Sequence, residues 1–308
     1  MKRVFYSTAK SPIVQNLDEA VDGSWLHFES PTDVELELLA DQYNLDIDLL
    51  RDGIDPNESP RIERDGDAVY IYTRFSLPEA EKMTTAPLLI MHGKGIVLTI
   101  SQRPFTTLDQ LVSGSMEIVT SKRARLVIEI LSVINDGYKR RINTVSRKIW
   151  QTRARLDKAQ IANEDFIAFI DIEEDLNDFL LVLEPMAAVL NSLLNGRFMR
   201  LYEEDKDLIE DLSLGNQELT QLAQSRLSTL RNIREAYSTI TANNLNRVFK
   251  LMTSITILMG IFTLITGIYS MNIKLPGAHD PNVFWIILSV TTILIGSVAI
   301  YFKKNRWF

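Results

Sequence analysis

The chain has 308 residues, 46% of them hydrophobic, with a mean hydropathy of zero and a formal net charge of −7. That is enough for a core of ordinary size and a membrane anchor, and too little apolar sequence for a transporter of many spans. The absence of cysteine excludes disulfides and thiolate metal sites and suits a reducing cytoplasm, and the N-terminal MKRVFYSTAK has no apolar signal-peptide core.

Residues 1–120 mix short β-type runs with helical ones and predict an α/β domain. Ser24 to Phe28, Ala68 to Phe75, Leu88 to Met91 and Ile96 to Ile100 have the β-branched or alternating character of strands. Pro31-Thr32-Asp33 opens a helix carrying Val34, Leu36, Leu38 and Leu39. There is no Gly-rich phosphate loop and no Ser-His-Asp order, and His27, His92 and His279 are too scattered for a metal or catalytic cluster. Nothing here predicts an enzyme.

From 121 to 196 the pattern turns helical, with Leu126, Ile130, Val133 and Ile134 on one face. A hairpin turning near Lys158 to Asn163 is expected. Its return arm holds Glu164, Asp165, Asp171, Glu173, Glu174, Asp175 and Asp178, which reads as a solvated helix face. Pro185 is a candidate kink, and Gly196 a stop. Residues 197–250 then predict a cytoplasmic stalk helix, with Gly215-Asn216 as a candidate break. Six carboxylates fall between Glu203 and Asp211; on a lone helix they repel one another, which favours a bound cation or a facing protomer.

Leu251 to Tyr269 is uncharged over nineteen residues, close to the ~20 that cross a bilayer. A loop, 270–282, separates it from a second span, 283–302, and a basic tail, 303–308. Before Asn246 there are 39 acidic and 27 Lys and Arg residues, net −12; from there on, one acid and six bases, net +5. The acidic part attracts cations and repels nucleic acid. Arg247, Lys250, Lys303 and Lys304 flank the spans, so the positive-inside rule predicts cytoplasmic N- and C-termini in a multi-pass protein of the cell (inner or plasma) membrane.

Thr253, Thr256, Gly260, Thr263 and Gly267 recur at steps of three and four and share one stripe, opposite Leu251, Ile255, Leu258, Phe262 and Ile265. Such a stripe serves either tight helix packing or a water-filled pore built by several copies. Read backwards at the same steps it continues through Phe249, Asn246, Ala242, Thr239, Glu235, Asn232 and Ser228, which favours a lined conduit.

Tyr269-Ser270-Met271-Asn272 resembles the Tyr-Gly-Met-Asn signature of CorA-type divalent-cation channels. Asn246-Arg-Val-Phe-Lys250 is similar to that family's entry to its first membrane helix, and Tyr301 to Trp307 to its basic end. Ser270 replaces the signature glycine, Ile261 stands where many members carry proline, and Lys274 lies in a loop without the usual mouth sequence. The resemblance implies an α+β fold: an N-terminal α/β cytoplasmic domain, a long helical hairpin, a stalk and two C-terminal membrane helices, assembled as a funnel-shaped homopentamer. It implies passive, potential-driven uptake of Mg²⁺ or Co²⁺. The selectivity filter would be Ser270, Met271 and Asn272, and the pore would be lined by Asn246, Phe249, Met252, Thr253, Thr256, Gly260, Thr263 and Gly267. It further places a regulatory Mg²⁺ at Asp211, with Glu79 or Glu81 of a neighbouring subunit as partner. Mg²⁺ is then substrate and regulatory ligand, and no resident cofactor is expected. A Zn²⁺, Co²⁺ or Ni²⁺ transporter of the same architecture, and a membrane-tethered scaffold or sensor, are the alternatives.

Overall fold

The structure, a computed structural model, describes residues 1–308 apart from 79–83, 106, 113–117, 157–162, 273–276, 278–281, 306 and 308. The chain divides into two units, Met1–Arg231 and Asn232–Phe308. In chain order the elements are β1 (Lys2–Thr8), β2 (Ser11–Asn16), β3 (Trp25–Glu29), α1 (Asp33–Tyr43), α2 (Ile47–Asp52), β4 (Arg61–Asp65), β5 (Ala68–Ser76), β6 (Thr85–Gly93), β7 (Ile96–Ser101), α3 (Leu108–Val112), α4 (Arg123–Leu156), α5 (Asn163–Leu194), α6 (Glu203–Tyr269) and α7 (Asn282–Lys304).

The first unit is organised on a seven-stranded sheet of order β2-β1-β3-β7-β6-β5-β4, antiparallel except where β3 runs parallel to β7. Its central strands are buried on both faces, which is why β6 and β7 read as continuous apolar runs rather than alternating ones. One face, with Leu26, Tyr70, Tyr72, Leu89, Leu98 and Ile100, is covered by Leu36 and Leu39 of α1 and Leu50 of α2. On α1 only those two leucines and Ala40 are buried; Val34 and Leu38 are exposed. A capping box starts α1: the Thr32 hydroxyl accepts from Glu35 N–H, and the Glu35 carboxylate accepts from Thr32 N–H at 2.8 Å. Those hydrogen bonds hold the Glu35 carboxyl below its ordinary value.

α4 packs on β5, β6 and β7, and α5 packs on β4, β5 and α4. Gly137 makes the approach possible, because a Cβ there would sit 2.9 Å from Ser76 Oγ of β5. The next residue, Tyr138, is buried and donates its hydroxyl to the Arg74 carbonyl at 3.0 Å. The entry to α4 is held by the first strand. Ser7 N–H donates to Thr120 Oγ1 at 2.8 Å, Thr120 N–H to Ser7 Oγ at 3.0 Å, and Ser7 Oγ to the Ile118 carbonyl at 2.6 Å.

α5 is long and apolar enough to cross a membrane, as are α6 and α7. Its apolar side, with Phe169, Leu176, Phe179, Leu183 and Leu190, is however buried inside the first unit. Pro185 sits within α5 without ending it, and Gly196, with φ +65°, follows its last turn as a left-handed stop.

α6 begins at Glu203 and runs through Gly215-Asn216 without a break, against the expectation from those two residues. Their roles are tertiary. A Cβ at Gly215 would lie 3.2 Å from Asn135 Nδ2 of α4, and Asn216 donates its amide to the Leu183 carbonyl of α5 at 2.9 Å. Ile209, Leu212, Asn216, Leu219, Ala223, Leu227 and Leu230 form the buried seam, at steps of three and four.

Candidate functional site

In the second unit the stripe Thr253, Thr256, Gly260, Thr263 and Gly267 is exposed throughout, and nothing lies within 4 Å of a Cβ built on Gly260 or Gly267. The part of α6 that the unit covers is a different row: Ser254, 0% exposed, then half-buried Leu258, Ile261 and Ile265. At 100° per residue the two rows lie about 150° apart. Of the apolar row, Leu258 and Ile265 are covered within the unit, while Leu251, Ile255 and Phe262 are exposed. Among the described residues, the Thr253–Gly267 stripe is not the packing face of the unit.

Thr256 and Thr263 donate their hydroxyl protons to the carbonyls of Met252 and Met259, both at 2.9 Å. This satisfies the donor inside the helix and leaves the oxygen lone pairs outward. Oxygens presented in that way accept from the waters of a hydrated cation. The same geometry occurs at Thr291, Thr292 and Ser297 of α7, so it marks membrane-compatible hydroxyls and becomes a lining only through the stripe's position.

Ser270 and Met271 continue from the last turn of α6: Ser270 N–H donates to the Thr266 carbonyl at 3.0 Å, and Met271 N–H to the Ile268 carbonyl at 3.3 Å. The Ser270 hydroxyl donates to the Gly267 carbonyl at 2.8 Å, a bond a glycine at 270 would not make. Met271 and Asn272 are exposed, as are Asn246 and Phe249 before the first span and Met252 at its start. Lys274 and His279 lie outside the described residues.

The acidic elements resolve unevenly. Three of the six carboxylates at the start of α6 lie in its first turn, where the helix dipole favours them. Asp205 is buried, accepts from Tyr202 N–H at 3.3 Å and pairs with Arg125 of α4 at 3.9 Å; Glu203 pairs with Lys206 at 2.7 Å. Asp211 is exposed, and its expected partners, Glu79 and Glu81, lie outside the described residues. No group of three or more His, Asp or Glu side chains is gathered for a metal among the described residues.

On α5, Asp175 pairs with Arg141 of α4 at 3.5 Å, Glu173 with Arg231 of α6 at 3.8 Å, and the Asp178 carboxylate takes the Thr84 hydroxyl. Burial raises the Asp175 carboxyl, against the pull of Arg141 and Lys148. This arm is thus charge-compensated at those positions rather than a bare acidic face. The signal that points to it is the seven Lys and Arg residues between Lys139 and Arg155 on the other arm of the hairpin.

A family model described as CorA-like Mg²⁺ transporter protein matches residues 22–304, so it takes in five of the seven strands, the hairpin, α6 and α7. The chain belongs to this family. CorA proteins are membrane transporters of divalent cations, not enzymes. Among curated relatives, the cobalt/magnesium transport protein CorA of Methanocaldococcus jannaschii is 25% identical over 294 residues, covering 92% of this chain and 90% of that one. The putative metal ion transporter YfjQ of Bacillus subtilis is 23% identical over 297 residues, covering 92% and 89%. The complete structure of the CorA magnesium transporter from Methanocaldococcus jannaschii superposes with a TM-score of 0.86 over 100% of this chain and 99% of that chain, at 22% identity. The α+β CorA-like fold, with its α/β unit and long helices, is shared.

Proposed function

We propose that this CorA-family member is a homopentameric channel for passive uptake of Mg²⁺, with Co²⁺ as a second substrate. The observation that carries the reading is the hydroxyl and glycine stripe from Thr253 to Gly267, left uncovered by the chain's own packing and leading to Ser270, Met271 and Asn272. Copies arranged around an axis would face that stripe inward, with both termini cytoplasmic. Mg²⁺ loses its waters reluctantly, so a ring of Asn272 amides and exposed hydroxyl oxygens suits the hydrated ion better than a carboxylate cage. An inside-negative potential of 100 mV, at about 2.3 kcal/mol per charge, gives a divalent ion about 4.6 kcal/mol on entry, so no nucleotide site is needed.

Exposed Phe249 and Met252 supply an apolar constriction that gates by dewetting. Internal Mg²⁺ bridging Asp211 to a neighbouring subunit's Glu79 or Glu81 would hold it closed. Ser270 in place of glycine, with its extra main-chain hydrogen bond, favours a second reading, a filter tuned to Zn²⁺, Co²⁺ or Ni²⁺. Purified protein in liposomes with ion-specific dyes tests all of these. Mg²⁺ flux lost in Asn272→Ala supports the channel; Zn²⁺ or Ni²⁺ exceeding Mg²⁺ selects the second reading; no flux of any divalent ion leaves a scaffold.

A further inference from the structure

An open cleft of about 650 Å³, a volume typical of small-ligand sites, lies where the end of β6, the entry to α4 and the entry to α6 meet. Lys122, Arg123, Arg125 and Arg200 line it, with His92 beside them. Of the three acids that also line it, two are committed. Asp205 pairs with Arg125 at 3.9 Å, Arg125 also holds Glu129 at 3.1 Å, and Glu203 pairs with Lys206 at 2.7 Å. That leaves Glu204 to offset Lys122, Arg123 and Arg200, whose side chains have no carboxylate within 4 Å among the described residues. Arg123 is half-buried, and a guanidinium partly withdrawn from water without a counterion is costly. Its Nη1 lies 3.9 Å from where a Gly95 Cβ would stand, and the Asp22 carboxylate packs on the same turn without forming an ion pair with it. The local sequence does not account for these charges either. Ser-Lys-Arg-Ala-Arg, 121–125, puts three cations and no acid at the first turn of α4, where the helix dipole disfavours positive charge. The N–H groups of Arg123, Ala124 and Arg125 have no acceptor among the described residues. Because the chain before Asn246 carries net −12, this surplus is a local exception and not part of a basic surface.

We propose that this cleft binds the phosphate group of a small phosphorylated anion, with Arg123 and Arg200 as its charged ligands, Lys122 beside them and the first-turn N–H groups of α4 as neutral donors. Guanidinium forks match phosphate oxygens in pairs, and N–H groups at a helix start complete such a cradle. Three cations against Glu204 leave a surplus of two, which a phosphate, near −2 at neutral pH, offsets and a single carboxylate does not. The cleft is larger than a bare phosphate needs, and exposed Tyr202 offers a ring to the rest of the molecule. Since the lining joins β6, α4 and the start of α6, an occupied cleft ties the three together and stabilises the first unit. Binding needs neither a divalent cation nor flux, so it stands or falls apart from the channel reading.

Full-length protein in non-ionic detergent, without divalent cations, is titrated by calorimetry with inorganic phosphate, AMP and adenosine at about 0.15 M KCl, where exposed charges are screened. Phosphate or AMP should bind with a dissociation constant below about 1 mM, and adenosine should not. Tighter binding of AMP marks a phosphorylated metabolite, and equal or weaker binding of AMP a bare anion; both support the site. Binding of neither, or adenosine binding as tightly as AMP, overturns it. Arg123→Gln and Arg200→Gln should each weaken the anion by at least about fivefold. Lys10→Gln, an exposed cation between β1 and β2 and outside the cleft, should change nothing. Equal weakening by Lys10→Gln, or none by Arg123→Gln, leaves only diffuse attraction and refutes the cleft. Should Arg123→Gln not fold, Lys122→Gln combined with Arg200→Gln alters only exposed side chains, and undiminished affinity there overturns the proposal.

Discussion

Arg226 of α6 donates from Nε to Ser146 Oγ of α4, 2.8 Å away and 80 residues earlier in the chain. Ser146 is largely buried, so its hydroxyl has little access to water that could replace a lost guanidinium. Arg226→Leu is expected to lower stability by about 1–2 kcal/mol, toward the low end for a hydrogen bond to a charged group because the arginine is part-exposed. Thermal unfolding in detergent checks it, and adding Ser146→Ala to Arg226→Leu should cost less than the sum of the two single changes.

Gly260→Leu separates a pore from a lipid-facing stripe. Among the described residues, beyond the helix's own neighbouring backbone, nothing lies within 4 Å of the added Cβ, so expression and the melting temperature of the monomer fold should stay near wild type. Divalent flux should fall at least tenfold if copies face this stripe inward. Unaltered flux in liposomes would turn the stripe toward the acyl chains.

Asp211→Lys should weaken closure by internal Mg²⁺. The expected result is a flux inhibition curve displaced to higher Mg²⁺ by threefold or more, with open-state flux unchanged. A superimposable curve removes Asp211 from regulation and leaves it as an exposed carboxylate of α6.

His92 supplies a pH dependence. Burial, and then the Arg123 guanidinium, lower its pKa below the ordinary 6.5. The unfolded chain therefore takes up a proton near pH 6.5 that the folded chain resists, and stability declines as pH falls below that value. Melting temperatures of wild type and His92→Asn, measured from pH 7.5 to 5.5, should diverge in that direction, the variant losing less.

Much of this architecture is legible locally. β6 and β7 announce themselves because burial on both faces needs uninterrupted apolar sequence, and the spans of α6 and α7 because a bilayer demands the same of a helix about twenty residues long. β4 does not, since RIERD reads as a charged loop; Arg61 pairs with Glu63 at 2.8 Å and Asp52 at 2.8 Å, and strand identity comes from the ladder with β5. β1 and β2 are hidden for a related reason, lying at and next to a sheet edge where polar residues are tolerated. Gly215-Asn216 has the local signature of a helix end, and only the neighbouring Asn135 and Leu183 show why a helix would carry it inside. The stripe from Thr253 to Gly267 was visible from spacing alone, while the covered row at Ser254 and Ile261 needed the second unit's own packing.

The paired hydroxyls of Ser7 and Thr120 have a kinetic corollary. They lie 113 residues apart, so the launch point of α4 is fixed by a long-range contact with β1 and is expected to form late. Ser7→Ala should speed unfolding of the first unit more than it slows refolding.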